Sequence, residues 1–323
     1  MKNVWIWIET KDGAPLKACL ELFSSAKALG GTTTAVVLGG DKDEWSKTLG
    51  AYGAERVLVL NGADETAWDS ELVTAVFAEA VAAFQPAVVL AAADERGREV
   101  LPRVAARVNG TYTANAMQLG VNGEKITCTY PAYGGGVLVD AELNGEGMKF
   151  LTVRPGAFRA PEAAEGAAAQ AEEFAPAVDP ACLKVKVLET VCEITEMVAL
   201  EDAEVIVAGG RGMGTADDFR LVEELAELLH GAVGATRPAI EDGWVSKAHQ
   251  VGQSGKIVTP KLYIACGISG ATQHVSAIMD SGFIVAINKD EEAPIFELAD
   301  IGIVGDVREI LPLMIEAVKA RNA

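Results

Sequence analysis

Short, continuously apolar runs that close on a glycine or a polar residue constrain this chain most. VWIWIE (Val4–Glu9), TTTAVVLG (Thr32–Gly39), RVLVL (Arg56–Leu60) and AVVLAA (Ala87–Ala92) show no alternation of polar and apolar positions. A strand covered on both faces has no solvent side to pattern, so such runs predict a parallel sheet between helical layers. The intervals supply the helices. Pro15–Leu29 has helical spacing and stops before Gly30 and Gly31, and the segments around Glu71–Phe84 and Gly97–Val108 follow the same rule. Half of the residues are apolar but only 6% are aromatic, and small aliphatic side chains let helices pack closely on a sheet.

The pattern changes after Asn109. CTYPAYGGGVLVDAELNG (Cys128–Gly145) and KFLTVRP (Lys149–Pro155) read as antiparallel pieces joined by turns. Ala160–Pro180 is rich in Ala, Glu and Pro, carries little apolar bulk and reads as an exposed loop or linker. VKVLETVCEI (Val185–Ile194) reads as one more strand, returning to the first domain. A second α/β unit starts near Ala203. It runs through VIVAGG (Val205–Gly210), a helix at Asp217–Leu229, AVGAT (Ala232–Thr236) and a polar, Gly-rich loop at Asp242–Gly255. LYIAC (Leu262–Cys266), a helix at Thr272–Met279, FIVAIN (Phe283–Asn288), GIVG (Gly302–Gly305) and a last helix at Val307–Lys319 follow. A chain of 323 residues exceeds one comfortable core. The expectation is two α/β domains, each on a largely parallel sheet: residues 1–195, and a doubly wound domain over residues 196–323.

Forty-six acidic residues against 27 basic ones give a net charge of −19. That surface repels phosphate backbones, and no basic run of five or more offsets it, which argues against nucleic-acid binding. No stretch is long and apolar enough to span a bilayer. Met1, Lys2 and Asn3 lead straight into an apolar strand without a signal-peptide pattern. Five scattered cysteines and only three histidines give neither a disulfide framework nor a metal pattern. A reducing compartment, the bacterial cytoplasm, is the simplest expectation.

Ligands of open α/β sheets bind beyond the carboxyl ends of the strands. In the second unit those ends carry GGRGMG (Gly209–Gly214), Thr236-Arg237-Pro238, GISGATQH (Gly267–His274), Asn288 and Asp306. The glycines of GGRGMG would let backbone approach a ligand and Arg211 would meet a phosphate, although a tight turn before a helix explains the same loop. Ser269 and Gly270 precede a helix whose free N–H groups suit an anion, while Ser269 as a plain N-cap accounts for it equally. His274 falls in the first turns of that helix. VGQSGK (Val251–Lys256) offers small polar donors, or is a surface turn. An NAD- or nucleotide-dependent oxidoreductase with a doubly wound catalytic domain is the rival reading, and a non-redox nucleotide-binding regulatory module is a third. Against an enzyme stands the lack of a Ser–His–Asp order, a nucleophile elbow or a metal cluster.

Taken in order, GGRG, GATRPAIEDGW, QVGQSGKIVTPKLYIACGISGATQH and IVAINKDEEAPIFELADIGIVGD resemble the FAD domain of the electron-transfer flavoprotein alpha subunit. Motif order and spacing fit from about Val205 to Ala323, and the first half is similar to that family's first domain through less specific motifs. The resemblance implies a non-enzymatic electron carrier that holds FAD. It implies a heterodimer with a beta subunit, which the first domain contacts since it lacks a Gly-rich phosphate loop. It also implies electron donors among acyl-CoA or other flavin dehydrogenases, as in fatty acid β-oxidation. Some relatives belong to electron-bifurcating complexes that oxidise NADH with a second flavin.

Carried over by residue, Arg211 and the backbone around Ser269 and Gly270 would hold the pyrophosphate. Asn288 and Asp306 would hold the adenosine end, with Asp306 accepting from ribose hydroxyls. Thr236, Arg237, Val251, Gly252, Gln253, Ser254, Gln273 and His274 would surround the flavin and its ribityl chain, and Ala271, Thr272 and Val307 complete the set. Arg237 would favour negative charge near N1 and C2=O, His274 would add a donor there, and Ser254 would donate toward N5. The family often has Thr where Ser254 stands, and a plain aliphatic where Cys266 stands, which is read as a buried small hydrophobe. His249 is expected to face solvent from its loop, with a role in tuning the flavin as the alternative.

Overall fold

The computed structural model describes residues 3–63, 68–144, 147–179, 183–185, 187–189, 200 and 203–322. The described residues fall into two compact units, those within 1–132 and 137–191, and those within 133–136 and 192–323.

The first unit opens with β1 (Asn3–Trp7), a small hairpin of β2 (Thr10–Lys11) and β3 (Ala14–Pro15), α1 (Lys17–Leu29) and β4 (Thr32–Leu38). It continues through α2 (Lys42–Ala51), β5 (Arg56–Leu60), α3 (Ser70–Phe84), β6 (Val88–Ala92) and α4 (Glu95–Arg107). Then come β7 (Thr111–Ala116), β8 (Gln118–Asn122), β9 (Lys125–Ala132), β10 (Val137–Leu143), β11 (Lys149–Val153) and β12 (Gln170–Phe174). Seven strands form one sheet in the order β12-β5-β4-β1-β6-β11-β7, and their pairings are parallel. Successive side chains of β1 go to opposite faces: Val4 and Ile6 pack with Leu22 of α1 and Leu49 of α2, whereas Trp5 and Trp7 pack with Phe77 of α3 and Val104 of α4. This two-sided burial is what leaves the apolar runs without alternation.

Three expectations need correction here. KFLTV is not antiparallel. It is β11, buried along its whole length and paired parallel with both β6 and β7. Ala160–Pro180 is not only a loop. It contains β12, which pairs parallel with β5. An edge strand needs one hydrogen-bonded neighbour and few apolar anchors: Phe174 meets Phe84 edge-on at 5.2 Å, and Glu172 and Glu173 pair with Arg56 and Lys42. Val185 and Val187–Glu189 form no strand, and the rest of Val185–Ile194 lies outside the described residues. Cys128–Leu143 does pair antiparallel, as β9 with β10, and β8 completes a three-stranded sheet; Gly145, the last residue of that expected stretch, lies outside the described residues.

The second unit contains β13 (Val205–Gly209), α5 (Ala216–Leu228), β14 (Ala232–Ala235), α6 (Arg237–Glu241) and β15 (Leu262–Cys266). It ends with α7 (Thr272–Val275), β16 (Ile284–Asn288), β17 (Ile301–Val304) and α8 (Val307–Asn322). Its sheet is parallel in the order β14-β13-β15-β16-β17. The chain steps from β13 to β14 on one side and then to β15 on the other, so the topological switch lies between β13 and β15, where a cleft must open. Phe219 and Leu225 of α5 and Leu311 and Ile315 of α8 cover one face with Val207, Ile264 and Ile287. Ile268, Ala277, Ile278 and Ile295 cover the other.

The helix expected over Thr272–Met279 is shorter. After Val275 the bonds Ala277 N→His274 O (3.0 Å) and Ile278 N→Val275 O (3.0 Å) tighten the chain into turns. Ala271, not Ser269, is the N-cap of α7, and no side chain caps it. No described helix is long and apolar enough to cross a membrane.

Candidate functional site

A cavity of about 830 Å³ opens beyond the carboxyl ends of all five strands of the second sheet. Gly210, Arg211 and Gly212 follow β13; Thr236 and Arg237 follow β14; Ile268, Ser269, Ala271, Gln273 and His274 follow β15. Asn288, Lys289 and Asp290 come from the end of β16, Gly305, Asp306 and Val307 from that of β17, and Gln250–Ser254 close one wall. Of the residues proposed from sequence, only Gly270 and Thr272 are absent from the lining. Gly270 shapes the wall instead: at φ +88° a Cβ there would lie 2.3 Å from Ile295 N. Thr272 is the exposed first residue of α7.

The glycines of GGRGMG act first on another loop. Gly210 N donates to Cys266 O (2.9 Å) and Gly212 N to Gly267 O (3.0 Å). Gly267 has φ +62°, and a Cβ on it would sit 2.7 Å from the Gly212 carbonyl carbon. The two loops therefore interlock by backbone alone, on either side of the switch point. The close approach expected between GGRGMG and a ligand is in the first place an approach between two loops.

Side-chain geometry refines the expected roles. Ser254 Oγ accepts from Gln250 Nε2 at 2.8 Å, so its own proton is free to donate toward the cavity. Asn288 is anchored by the protein and still has capacity for a ligand: Nδ2 donates to Ile268 O (2.9 Å) and Oδ1 accepts from Asp290 N (3.0 Å), which leaves one amide hydrogen and one lone pair. Asp306 accepts from the Arg308 guanidinium (2.6 and 3.0 Å) and from Arg308 N (2.9 Å). The guanidinium holds that carboxyl far below the usual carboxylate range. One of its roughly four lone-pair positions remains for a hydroxyl donor. Arg237 Nε donates to Glu241 Oε1 at 2.7 Å on the exposed side of α6. The Arg211 side chain makes no hydrogen bond or ion pair with a described residue and lies exposed on the lining.

His274 departs from its expected role as a donor into the cavity. It is buried, its Nε2 lies 3.0 Å from Tyr263 Oη and its Nδ1 lies 3.0 Å from Val251 O, so both nitrogens have partners inside the protein. Burial pushes its pKa down to about 4. His249 does not face solvent either. It is half-buried, its Nδ1 donates to Val233 O at 3.0 Å, and it is not on the lining. Cys266 is the buried small hydrophobe expected, with burial pushing its thiol up to about 12. Lys289, Asp290 and Gln250 line the cavity without having been singled out from sequence. The strand-end rule, extended one or two residues past Asn288, reaches the first two.

Residues 199–279 match the model of the electron transfer flavoprotein FAD-binding domain, and residues 4–179 match that of the electron transfer flavoprotein domain. The chain belongs to the electron-transfer flavoprotein alpha subunit family. Protein FixB of Clostridium saccharobutylicum is 40% identical over 98% of this chain and 96% of its own. The electron transfer flavoprotein subunit alpha of Clostridium acetobutylicum is 38% identical over 99% of this chain and 98% of its own. The acryloyl-CoA reductase electron transfer subunit beta of Anaerotignum propionicum is 34% identical over 100% of this chain and 97% of its own. Like others of the alpha-subunit family, the chain is an FAD-binding electron carrier rather than an enzyme.

The cavity fits that cofactor. Its volume is at the upper end for ligand sites, as a dinucleotide requires. It spans all five strand ends, so an extended ligand can cross the switch point. Arg211 supplies an uncommitted cation for phosphate and Ser254 an uncommitted hydroxyl proton.

Proposed function

We infer that FAD lies extended along the five strand ends of residues 203–322. Arg211 and the backbone around Ser269 hold its pyrophosphate, Asp306 receives the adenosine end, and Arg237, Gln253 and Ser254 stand at the flavin. The observation that carries this reading is the continuity of one cavity from Arg211 through Ser254 to Asp306. When bound, FAD supplies one- and two-electron chemistry, and the protein's part is to hold it, tune it and leave an edge open. Arg237 places positive charge on the wall and so favours the added electron. Ser254 presents a donor fixed by Gln250. His274, neutral and internally bonded, adds shape without charge.

The chain pairs with a beta subunit, with residues 1–195 as the docking domain, and takes electrons from acyl-CoA or other flavin dehydrogenases. The likeness to an acryloyl-CoA reductase electron transfer subunit supports a partner of that class. Co-expression with the beta subunit and a visible spectrum of the purified complex test the assignment: a flavin spectrum is expected, and a colourless heterodimer after FAD reconstitution would sink it. The flavin count then separates two modes. One FAD with one AMP per heterodimer marks the simple carrier, and two FAD mark a complex that bifurcates electrons from NADH.

A further inference from the structure

Tyr263 lies inside β15, fully buried, and uses its hydroxyl on His274 Nε2 (3.0 Å). On the other side of the ring, His274 Nδ1 faces Val251 O at 3.0 Å. A carbonyl oxygen only accepts, so Nδ1 carries the hydrogen. A neutral imidazole then keeps its lone pair on Nε2, so the tyrosine hydroxyl donates. Burial keeps His274 neutral, and it raises the Tyr263 phenol well above its ordinary range. Cys266, the other titratable group acting on Tyr263, is itself buried and protonated. The pair is thus a fixed, uncharged relay from a strand to a loop.

That loop is the wall of the cofactor cavity. Val251 N donates to Ala235 O (2.9 Å), Gln253 N to Gln273 O (2.9 Å) and Gly252 N to Lys256 O (3.1 Å). The imidazole bond at Val251 O is made by a side chain, as is that of Gln250 Nε2 on Ser254 Oγ (2.8 Å), and it joins α7 to the residue three before Ser254. We propose that Tyr263 is a positioning residue for the cofactor site: by donating to His274 Nε2 it holds in place the ring whose Nδ1–H fastens Val251, in the loop where Gln250 fixes the Ser254 hydroxyl. The proposal rests on the reading of Ser254 as a donor to bound FAD.

Two measurements test it. The chain has only three histidines, so the full-length protein labelled with ¹⁵N-histidine gives a sparse spectrum in which His274→Asn identifies one ring. At neutral pH that ring should show a pyrrole-like Nδ1 and a pyridine-like Nε2. In Tyr263→Phe, which removes one oxygen atom, Val251 O still requires the Nδ1–H, so the tautomer should stay while the Nε2 resonance moves downfield with the loss of its hydrogen bond. The Nε2–H tautomer in the wild type overturns the proposal, and this arm needs no FAD. An unchanged Nε2 resonance in Tyr263→Phe overturns it as well. In the second arm the flavin potentials of Ser254→Ala, Tyr263→Phe and the double variant are compared in the FAD-loaded heterodimer. The single variants should shift the potential in the same direction, and the double variant no further than Ser254→Ala alone. Additive shifts overturn the link between Tyr263 and Ser254 while leaving the FAD assignment standing. Failure to take up FAD at all counts against that assignment, with the tautomer result unaffected.

Discussion

Arg237→Ala should lower the first one-electron potential of the bound flavin, and the structure sets the size of the effect. At about 4 Å a unit charge is worth ~4 kcal/mol at an effective dielectric of ~20, and ~1 kcal/mol in bulk water. With ~59 mV per tenfold for one electron, these limits correspond to roughly 170 mV and roughly 40 mV. Two features favour the lower figure. The Arg237 side chain is 66% exposed, so solvent screens it, and its charge is shared with Glu241 at 2.7 Å, itself 59% exposed. The expected drop is therefore about 40 mV. Glu241→Gln releases Arg237 from its partner and should move the potential the opposite way by less. Potentiometric titration of the FAD-loaded protein reads both. The measurement belongs at low ionic strength and again near 1 M salt, where a Debye length of ~3 Å should shrink both shifts. Unchanged curves for Arg237→Ala would refute the reasoning. So would variants that shift in the same direction, because that outcome follows from a packing change and not from charge.

Three further outcomes follow from the local geometry. Gly267→Ala forces a Cβ at φ +62° to within 2.7 Å of the Gly212 backbone, so it should lower the unfolding free energy read by denaturant titration by about 1–3 kcal/mol and weaken FAD uptake; a variant of wild-type stability contradicts the interlocked loops. Thr215 caps α5 by accepting from Asp218 N (3.1 Å) and donating to its carboxylate (2.7 Å), so Thr215→Ala should cost ~1 kcal/mol and Thr215→Ser far less in the same assay. His274 has a pKa of about 4 when folded, below its ordinary 6.5. The unfolded chain therefore binds the extra proton first, and stability falls as pH drops from about 6.5 to about 4, by up to ~3 kcal/mol. His274→Asn should be less stable at neutral pH but lose less across that window, and an unaltered slope would falsify the assignment of that proton to His274.

Much of the fold was legible because burial on both faces leaves a signature in residue type. Arg56–Leu60 and Leu262–Cys266 run over the same residues in the sequence reading and in the structure. The misses share a cause. Gln170–Phe174 is an edge strand held by one neighbour and by charged pairs, so hydropathy carries no mark of it. Lys149–Val153 sits beside hairpin strands in sequence, and only the pairing with β6 and β7 makes it an interior parallel strand. The site was legible as a set of strand ends, since chain direction in a parallel sheet brings all five to one edge. How each side chain spends its polar atoms was not. The two bonds of His274 depend on Tyr263 and Val251, eleven and 23 residues away, and no spacing rule links these residues.

The distribution of charge shows why this edge suits an anionic ligand in so acidic a chain. With 46 acidic against 27 basic residues, the net charge of −19 opposes an anionic dinucleotide at long range. Within the cavity the balance reverses. Arg211, Arg237 and Lys289 meet only Asp290 and Asp306 on the lining, and Asp306 is already neutralised by Arg308. Arg237 is tied to Glu241, so the lining cations left to answer a phosphate are Lys289 and Arg211, the latter in the loop that interlocks with Gly267. The negative exterior can serve a different task, steering toward basic protein surfaces, without competing for the cofactor, because a Debye length of ~8 Å at physiological salt confines each field to its own neighbourhood. It follows that Arg211→Gln should cost FAD affinity at any salt at which the dinucleotide is in contact. Removing exterior carboxylates should instead change partner association rates in a salt-dependent way and leave FAD affinity as it was.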